Sequence, residues 1–385
     1  MINRSRVLAV ASKEWREIVR DRLFFTLAFV VPALLTLLFG YGLSLDVEHI
    51  PMTIVDHDRS AASREYAHRF IDSRYFDFKG YADDERRLTA AIASSQFRAV
   101  VVIEAGFERD LLAGRPGHVQ TLIDGTFPFR AQTTKGYVEA INAAFSASTV
   151  AQALSQQLGV PTATALDALQ PVRLEVRYLY NQGVQSIWSL APKLIMAIMM
   201  ISPPFLTALG VVREKESGAI FNIYASTVRR SEFLIGKLLP YVAISVLNVC
   251  ILWVLATFLF GAPFKGDFLF FLLASVLYVT CTTGIGLLVS VAVKTQVAAM
   301  IGTAIITVVP AVLYSGVLIP IASLSDAAKV VAHLLPGMYY TNIVMGSFLK
   351  GVRWEALWPD MLVLALYAVA LFSCGYALFR KRIRA

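Results

Sequence analysis

Hydrophobic and polar positions divide this chain into six long apolar runs and one polar segment. The runs are Leu23 to Leu45, Leu194 to Val212, Leu238 to Phe264, Phe268 to Val293, Thr295 to Ser325 and Met361 to Phe379. None contains Asp or Glu. A helix needs about 20 mostly apolar residues to cross a hydrocarbon core roughly 30 Å thick, so each run predicts one membrane span. The first span stands alone near the N-terminus, and the other five follow the polar segment 46–185. Residues 1–45 are too long in their apolar part for a cleaved leader, and Leu43-Ser44-Leu45 is a poor cleavage site, so an uncleaved anchor is expected.

Within 46–185 the pattern changes. Met52 to Asp56 and Phe97 to Ile103 read as short buried strands, rich in β-branched residues, and Val119 to Asp124 as another. Ser60 to Ser73, Leu88 to Ser95 and the Ala-rich stretch Phe129 to Leu158 read as helices, and Val172 to Tyr180 alternates as a last strand. Strands interleaved with helices predict a compact α/β unit. The expected organisation is a cytoplasmic amphipathic segment (1–22), a first transmembrane helix (23–45), an outer α/β domain (46–185) and a five-helix transmembrane domain (186–385).

Composition sharpens this picture. Of 385 residues 57% are hydrophobic and only 16% charged, whereas soluble domains carry about 25% charge. A soluble enzyme is disfavoured and disorder is excluded, and the net charge of +8 must be tested as a topology signal before it is taken for a nucleic-acid footprint. Basic residues cluster at Arg4 to Arg22, at Arg213 to Lys237 and at Arg380 to Arg384. Placing these clusters inside puts both termini in the cytoplasm and 46–185 on the outer side of the membrane.

Candidate chemistry is sparse. Asp56-His57-Asp58 could hold a metal, but a strand end running into an Asx turn and a helix cap is the better account. His49, His68 and His118 have no ligand spacing, and Cys250, Cys281 and Cys374 imply neither disulfide nor metal. Gly236-Lys237 resembles the end of a phosphate-binding loop, yet Leu238 follows and Ser231 stands where the first Gly belongs. No catalytic residue, cofactor or metal is assigned, so any ATP-driven work needs another chain. Ion-coupled transport is disfavoured because the runs lack carboxylates. Lys193 lies close enough to the outer interface to snorkel.

The loop 213–237 is the most informative segment. Arg213-Glu214-Lys215-Glu216-Ser217-Gly218 directly follows a span, then comes an amphipathic stretch with Ile220, Phe221, Ile223 and Tyr224 on its apolar face. Dense mixed charge at a span end, where side chains are expected to be solvated, suits docking of a soluble partner. The segment 321–358 holds apolar pieces too short to cross, broken by Pro336-Gly337, and reads as an outer re-entrant hairpin.

This loop, "REKESGAIFNIYASTVRRSEFLIGK", resembles the pattern of ABC exporter membrane subunits of the type-2 permease class. "VDHDRSAASR", "IDGTFPFRAQTTKGYVEAI" and "LLPGMYYTNIVMGSFLKG" support the resemblance, which covers essentially the whole chain. It implies an α-helical polytopic membrane protein with six transmembrane helices and an inserted extracytoplasmic α/β domain. It further implies a separate ABC ATPase, a second permease copy or paralogue, and a periplasmic membrane-fusion adaptor as partners, with no nucleic acid. Residues Arg213 to Gly218 would couple to the ATPase, together with the amphipathic segment Val7 to Val19. The apolar walls suit an amphiphile or a drug-like molecule moved outward. The competing expectations are an ATPase-driven mechanical component that moves its outer domain without transport, and a membrane enzyme.

Overall fold

The computed structural model describes residues 3–43, 46–82, 92, 94, 96–169, 177, 179–219, 228–317 and 320–378. Two compact units emerge, one from Met1–Leu45 with Tyr178–Ala385, the other from Asp46–Arg177.

In the first unit, helix α1 (Arg4–Arg20) is capped by Asn3, whose side chain accepts from Ser5 N at 3.0 Å. Asp21 ends α1 by turning extended and at once caps the first span, α2 (Arg22–Gly42), accepting from Leu23 N at 2.9 Å. Among the described residues six helices are long and apolar enough to cross a bilayer: α2, α7 (Ser186–Glu216), α8 (Arg230–Leu259), α9 (Phe268–Ala292), α10 (Gln296–Leu313) and α13 (Trp354–Leu378). The most apolar window of α7 is 83% buried, against 17–50% for the other five, so α7 is the axis around which the bundle packs. Its core partners include Phe271, Tyr278, Tyr340 and Phe348.

A proline shapes the first span. Residues Thr26–Val30 form a π turn, in which Val31 N bonds Thr26 O. Pro32 has no N–H to offer Ala28 O, and the shifted Val31 leaves Leu27 O open as well. Both carbonyls are met from neighbouring helices. Asn248 Nδ2 of α8 donates to Ala28 O at 2.6 Å, and Ser202 Oγ of α7 donates to Leu27 O at 3.3 Å. An apolar environment demands such replacement, since water is not available there to solvate a freed carbonyl.

The segment 321–358 holds helices α11 (Asp326–His333) and α12 (Pro336–Met345), the latter continuing as a π turn through Lys350. Helix α12 buries its polar groups within the bundle: Tyr340 stacks on Tyr278 at 4.1 Å between centroids and shares a 2.8 Å hydrogen bond with Ser275, while Tyr278 OH donates to Met196 O. Lys193 Nζ donates to Val317 O at 3.4 Å, in the segment that follows α10.

The second unit is a four-stranded sheet in the order β2-β1-β3-β4, from β1 (Ile50–Asp56), β2 (Phe76–Tyr81), β3 (Ala99–Ile103) and β4 (Val119–Ile123). Strand β1 pairs parallel with β2 and β3, and β3 antiparallel with β4. All of β3 is buried because both sheet faces are covered, as its unbroken run of Val predicts. Among the described residues the unit also holds helices α3 (Ala61–Ile71), α4 (Phe107–Leu112), α5 (Pro128–Leu158) and α6 (Thr162–Leu169). Strand β2 has no counterpart in the sequence reading, although Phe76 and Phe78 alternate with Asp77 and Lys79. Most of the expected helix at 88–95 and most of the expected strand at 172–180 lie outside the described residues. Asp56 forms the expected Asx turn, accepting from Asp58 N and Arg59 N. Asp58 accepts from Gly106 N and Glu108 N and so caps α4, while Glu108 in return accepts from Ala62 N at the start of α3.

Candidate functional site

The charged cluster at the end of α7 reaches a different element with each of its four charges. Arg213 pairs with Asp21, the residue that joins α1 to the first span, and lies over the Phe24 ring. Glu214 turns inward to Lys13 of α1 and Lys237 of α8. Lys215 Nζ donates to Ser290 O and Val293 O, satisfying carbonyls where α9 ends. Glu216 accepts from Gln296 N at 3.0 Å and so caps the start of α10. Ser217 then closes the helix and Gly218, at φ +72°, leads the chain away in the left-handed conformation that suits glycine.

These contacts correct one expectation. The four charges were expected to stand in solvent at the membrane edge, where replacement costs little. Glu214 is 5% exposed, and Lys215 is part-buried. The reason is the second helix layer: α1 and α8 close over Glu214, and a carboxylate shut away from water has to meet cations. Arg213, Glu216 and Ser217 remain exposed. The amphipathic stretch with Ile220, Phe221, Ile223 and Tyr224 lies outside the described residues.

At the centre is a buried ionic knot. Lys237 Nζ donates to Glu14 Oε1 at 2.8 Å and lies 2.6 Å from Glu214 Oε2, the latter without an aligned hydrogen bond. Tyr241 OH donates to Glu14 Oε2 at 3.0 Å. Lys13, half exposed, completes the charge balance on Glu214 Oε1. Glu14, Glu17 and Glu214 bring carboxylate oxygens within 4.8 Å of one another, and the cations that serve the buried pair are lysines. Burial pushes the Glu14 carboxyl above the ordinary carboxylate range; the Lys237 ammonium opposes this and the Glu214 carboxylate adds to it.

Local sequence builds the knot. Glu232 caps α8 by accepting from Arg229 N, and its other oxygen accepts from Asn3 N at 2.9 Å, pinning the start of α1. Four residues on, Gly236 lets α1 approach, for a Cβ there would lie 2.7 Å from Val7 O and 2.8 Å from Val10 Cβ. Lys237 comes next and meets Glu14. The run Glu232 to Lys237 is therefore a clasp for α1. Gly210 on α7 performs the matching service for Tyr241, whose hydroxyl oxygen would be 1.8 Å from a Cβ at that position. A cavity of about 600 Å³ opens beside the knot, walled by residues that include Arg16, Arg20, Asp21 and Ser217.

Glu14, Asp21 and Tyr241 were not anticipated as site residues. The signal was present for Glu14. Ala11, Glu14 and Ile18 are the buried positions of α1, spaced three and four apart, so an acid sits on the apolar stripe of an amphipathic helix. An acid there needs a buried cation, and Lys237 opens the next apolar run.

Comparison with known proteins agrees with this architecture. Residues 23–377 match the family described as ABC-2 family transporter protein. The chain is 28% identical over 379 residues to the probable multidrug ABC transporter permease YbhS of Escherichia coli K12, covering 98% of this chain and 97% of that one. It is 24% identical over 382 residues to the probable multidrug ABC transporter permease YbhR of the same organism, covering 98% and 99%. Its identity to the inner membrane transport permease YhhJ of E. coli K12 is 23% over 377 residues, covering 96% of each. With six helices able to cross a bilayer and a match over nearly its full length, this chain belongs to the ABC-2 family of transporter proteins.

Proposed function

We propose that the chain is the permease subunit of an ATP-driven exporter, which moves an amphiphile or drug-like molecule outward using a separate ATPase and a second permease copy or paralogue. The ATPase binds on the cytoplasmic side, where α1 and the end of α7 lie, and the 46–177 unit faces the periplasm. A membrane-fusion adaptor on that side belongs to the same reading. The observation that carries it is the convergence of five elements on Arg213 to Glu216. A push on this end of α7 is passed to α1, α2, α8, α9 and α10 through short ion pairs and capped helix ends. Such a joint suits a mechanical input, because hydrogen-bond and salt-bridge networks that link rigid helices are among the carriers of coupling between distant sites. Relatives named as multidrug permeases support the substrate class.

The exposed edge of the joint is where an ATPase can touch. Ser217 is exposed and its hydroxyl contacts only the Glu214 carbonyl, at 3.4 Å. Ser217→Trp therefore leaves the buried ion pairs in place while obstructing that edge. Expected results are unchanged expression and thermal stability, with co-purified ATPase reduced at least fivefold, the effect of losing more than about 1 kcal/mol at an interface. The purified permease alone is expected to hydrolyse no ATP. Full ATPase recovery and full transport in both Ser217→Trp and Arg213→Ala would refute docking at this edge.

A further inference from the structure

We propose that the 46–177 unit contains a small-molecule site of its own, a cavity between α4, β4 and α5 that takes an uncharged aromatic molecule carrying a hydrogen-bond acceptor. This goes beyond the exporter reading and does not rest on it, since every residue that forms the cavity belongs to this unit.

The cavity measures about 530 Å³, within the range of about 300–1,000 Å³ typical of ligand pockets. It opens to solvent on one side, so a small molecule can enter it without the fold opening. Its inner wall is aromatic. Tyr66, Phe107 and Phe145 line it and are 2%, 4% and 5% exposed. Their rings are locked on one another, Tyr66 lying edge-on to Phe145 at 5.0 Å and Phe107 at 6.1 Å from Phe145. Leu111, Val150 and Leu154 extend the apolar surface toward the opening.

The wall is preformed. Asp58 accepts from Gly106 N and Glu108 N on either side of Phe107, fixing the start of α4. Gly117 presses on the other side of that ring, where a Cβ would lie 2.7 Å from two of its atoms. A cavity held open by the backbone has no ordering cost to meet when a ligand enters.

Polarity then selects the occupant. The Tyr66 hydroxyl makes no hydrogen bond with the described residues and is not shut off from solvent, although the side chain as a whole is almost wholly buried. Burial alone pushes that hydroxyl up to about 12, so it stays protonated and able to donate at neutral pH. A hydroxyl that lines the cavity without a protein partner is free to donate to an acceptor atom on the ligand. Arg115, the charged residue at the cavity, is already engaged by Asp110 at 2.7 Å. No free charge is therefore presented by the described lining residues, which favours an uncharged molecule over an ionic one.

Benzophenone serves as the probe. It is an uncharged aromatic ketone, its oxygen can accept from Tyr66, and ultraviolet light inserts it into nearby C–H bonds. The full-length chain in lipid nanodiscs is irradiated over a concentration series, and adducts are mapped by peptide mass spectrometry. Labelling of 107–119 and 145–157 is expected to saturate, unlike labelling of the lipid-facing helices. Tyr66→Phe, which removes only the hydroxyl, should raise the half-saturating concentration about three- to tenfold, the effect of one lost hydrogen bond. Val150→Trp places a large ring at a position 47% exposed, so the fold tolerates it while the cavity fills and saturable labelling disappears. Circular dichroism confirms that both variants keep their fold. Labelling of these peptides that rises linearly with concentration, or saturates identically in both variants, would overturn the site and leave a cavity that holds only water.

Discussion

Lys237 carries more of this structure than its position at the head of an apolar run suggests. It is 1% exposed and stands between two carboxylates, Glu14 at 2% and Glu214 at 5%. Removing the cation strands Glu14 and leaves Glu214 with the half-exposed Lys13 alone, whereas neutralising Glu14 keeps Lys237 paired with Glu214. Lys237→Met is accordingly expected to cost about 3–5 kcal/mol, as when one partner of a buried pair is lost. Glu14→Gln should be far milder. The folded-state pKa of Glu14 lies above its free value, so its favourable contribution is present below pH about 4.3 and is lost as pH rises through the folded value. At neutral pH the ionised carboxylate is thus the unfavourable form, and Gln imitates the neutral one while still accepting from Lys237 or Tyr241. Denaturant unfolding in detergent ranks the variants. Equal losses for Lys237→Met and Glu14→Gln would mean that the knot is not balanced as described. The same ranking revises what a coupling experiment can use: Glu214→Ala disturbs the fold, so its effect on transport does not report on ATPase contact.

At the scale of elements, the first span tests whether polar side chains replace missing backbone bonds. Asn248→Ala leaves Ala28 O without a donor and is expected to destabilise by about 1 kcal/mol, since hydrogen bonds between membrane helices average about 0.6 and reach about 1.7 kcal/mol. Pro32→Ala restores an N–H at the position that Ala28 O lacks. In the double variant the Asn248 substitution should cost much less, and a double-mutant cycle measures the difference. Strict additivity would show that the amide packs without serving the carbonyl. Asn248 also shows what was legible. An amide inside a 27-residue uncharged run is visible in the sequence, and so is Pro32; their pairing is not, because 216 positions separate them. The six spans were readable from hydropathy alone, as were β1, β3 and β4 from their β-branched runs. Strand β2 escaped because its alternation is short and ends in Gly80 and Tyr81. The charged cluster was visible as a motif, but its inward partners depend on how α1 and α8 fold over it, and long-range charge pairing leaves no local periodicity.

For the molecule as a whole, sidedness is the property that ties the joint at 213–218 to the 46–177 unit. In the proposed topology one span precedes that unit and another follows it, which would set α1 and the end of α7 on one side of the membrane and the unit on the other. The same proposal puts α1 and 213–237 in the cytoplasm, since short basic segments beside spans resist translocation. Single cysteines can read this directly. Cys374 is exposed, Cys250 part-buried and Cys281 buried, so a variant lacking all three is the starting point. Ser12, Ser217 and Glu139 are exposed and none is part of the buried knot. A membrane-impermeant maleimide added to spheroplasts is expected to label Glu139→Cys and to spare Ser12→Cys and Ser217→Cys. Inverted membrane vesicles should give the opposite pattern. Labelling of Ser217→Cys in spheroplasts would put the joint outside, beyond the reach of any cytoplasmic ATPase, and would end the coupling role proposed for it. Labelling of all three in one preparation would break the span count instead, because an odd number of crossings must separate residue 12 from residue 139.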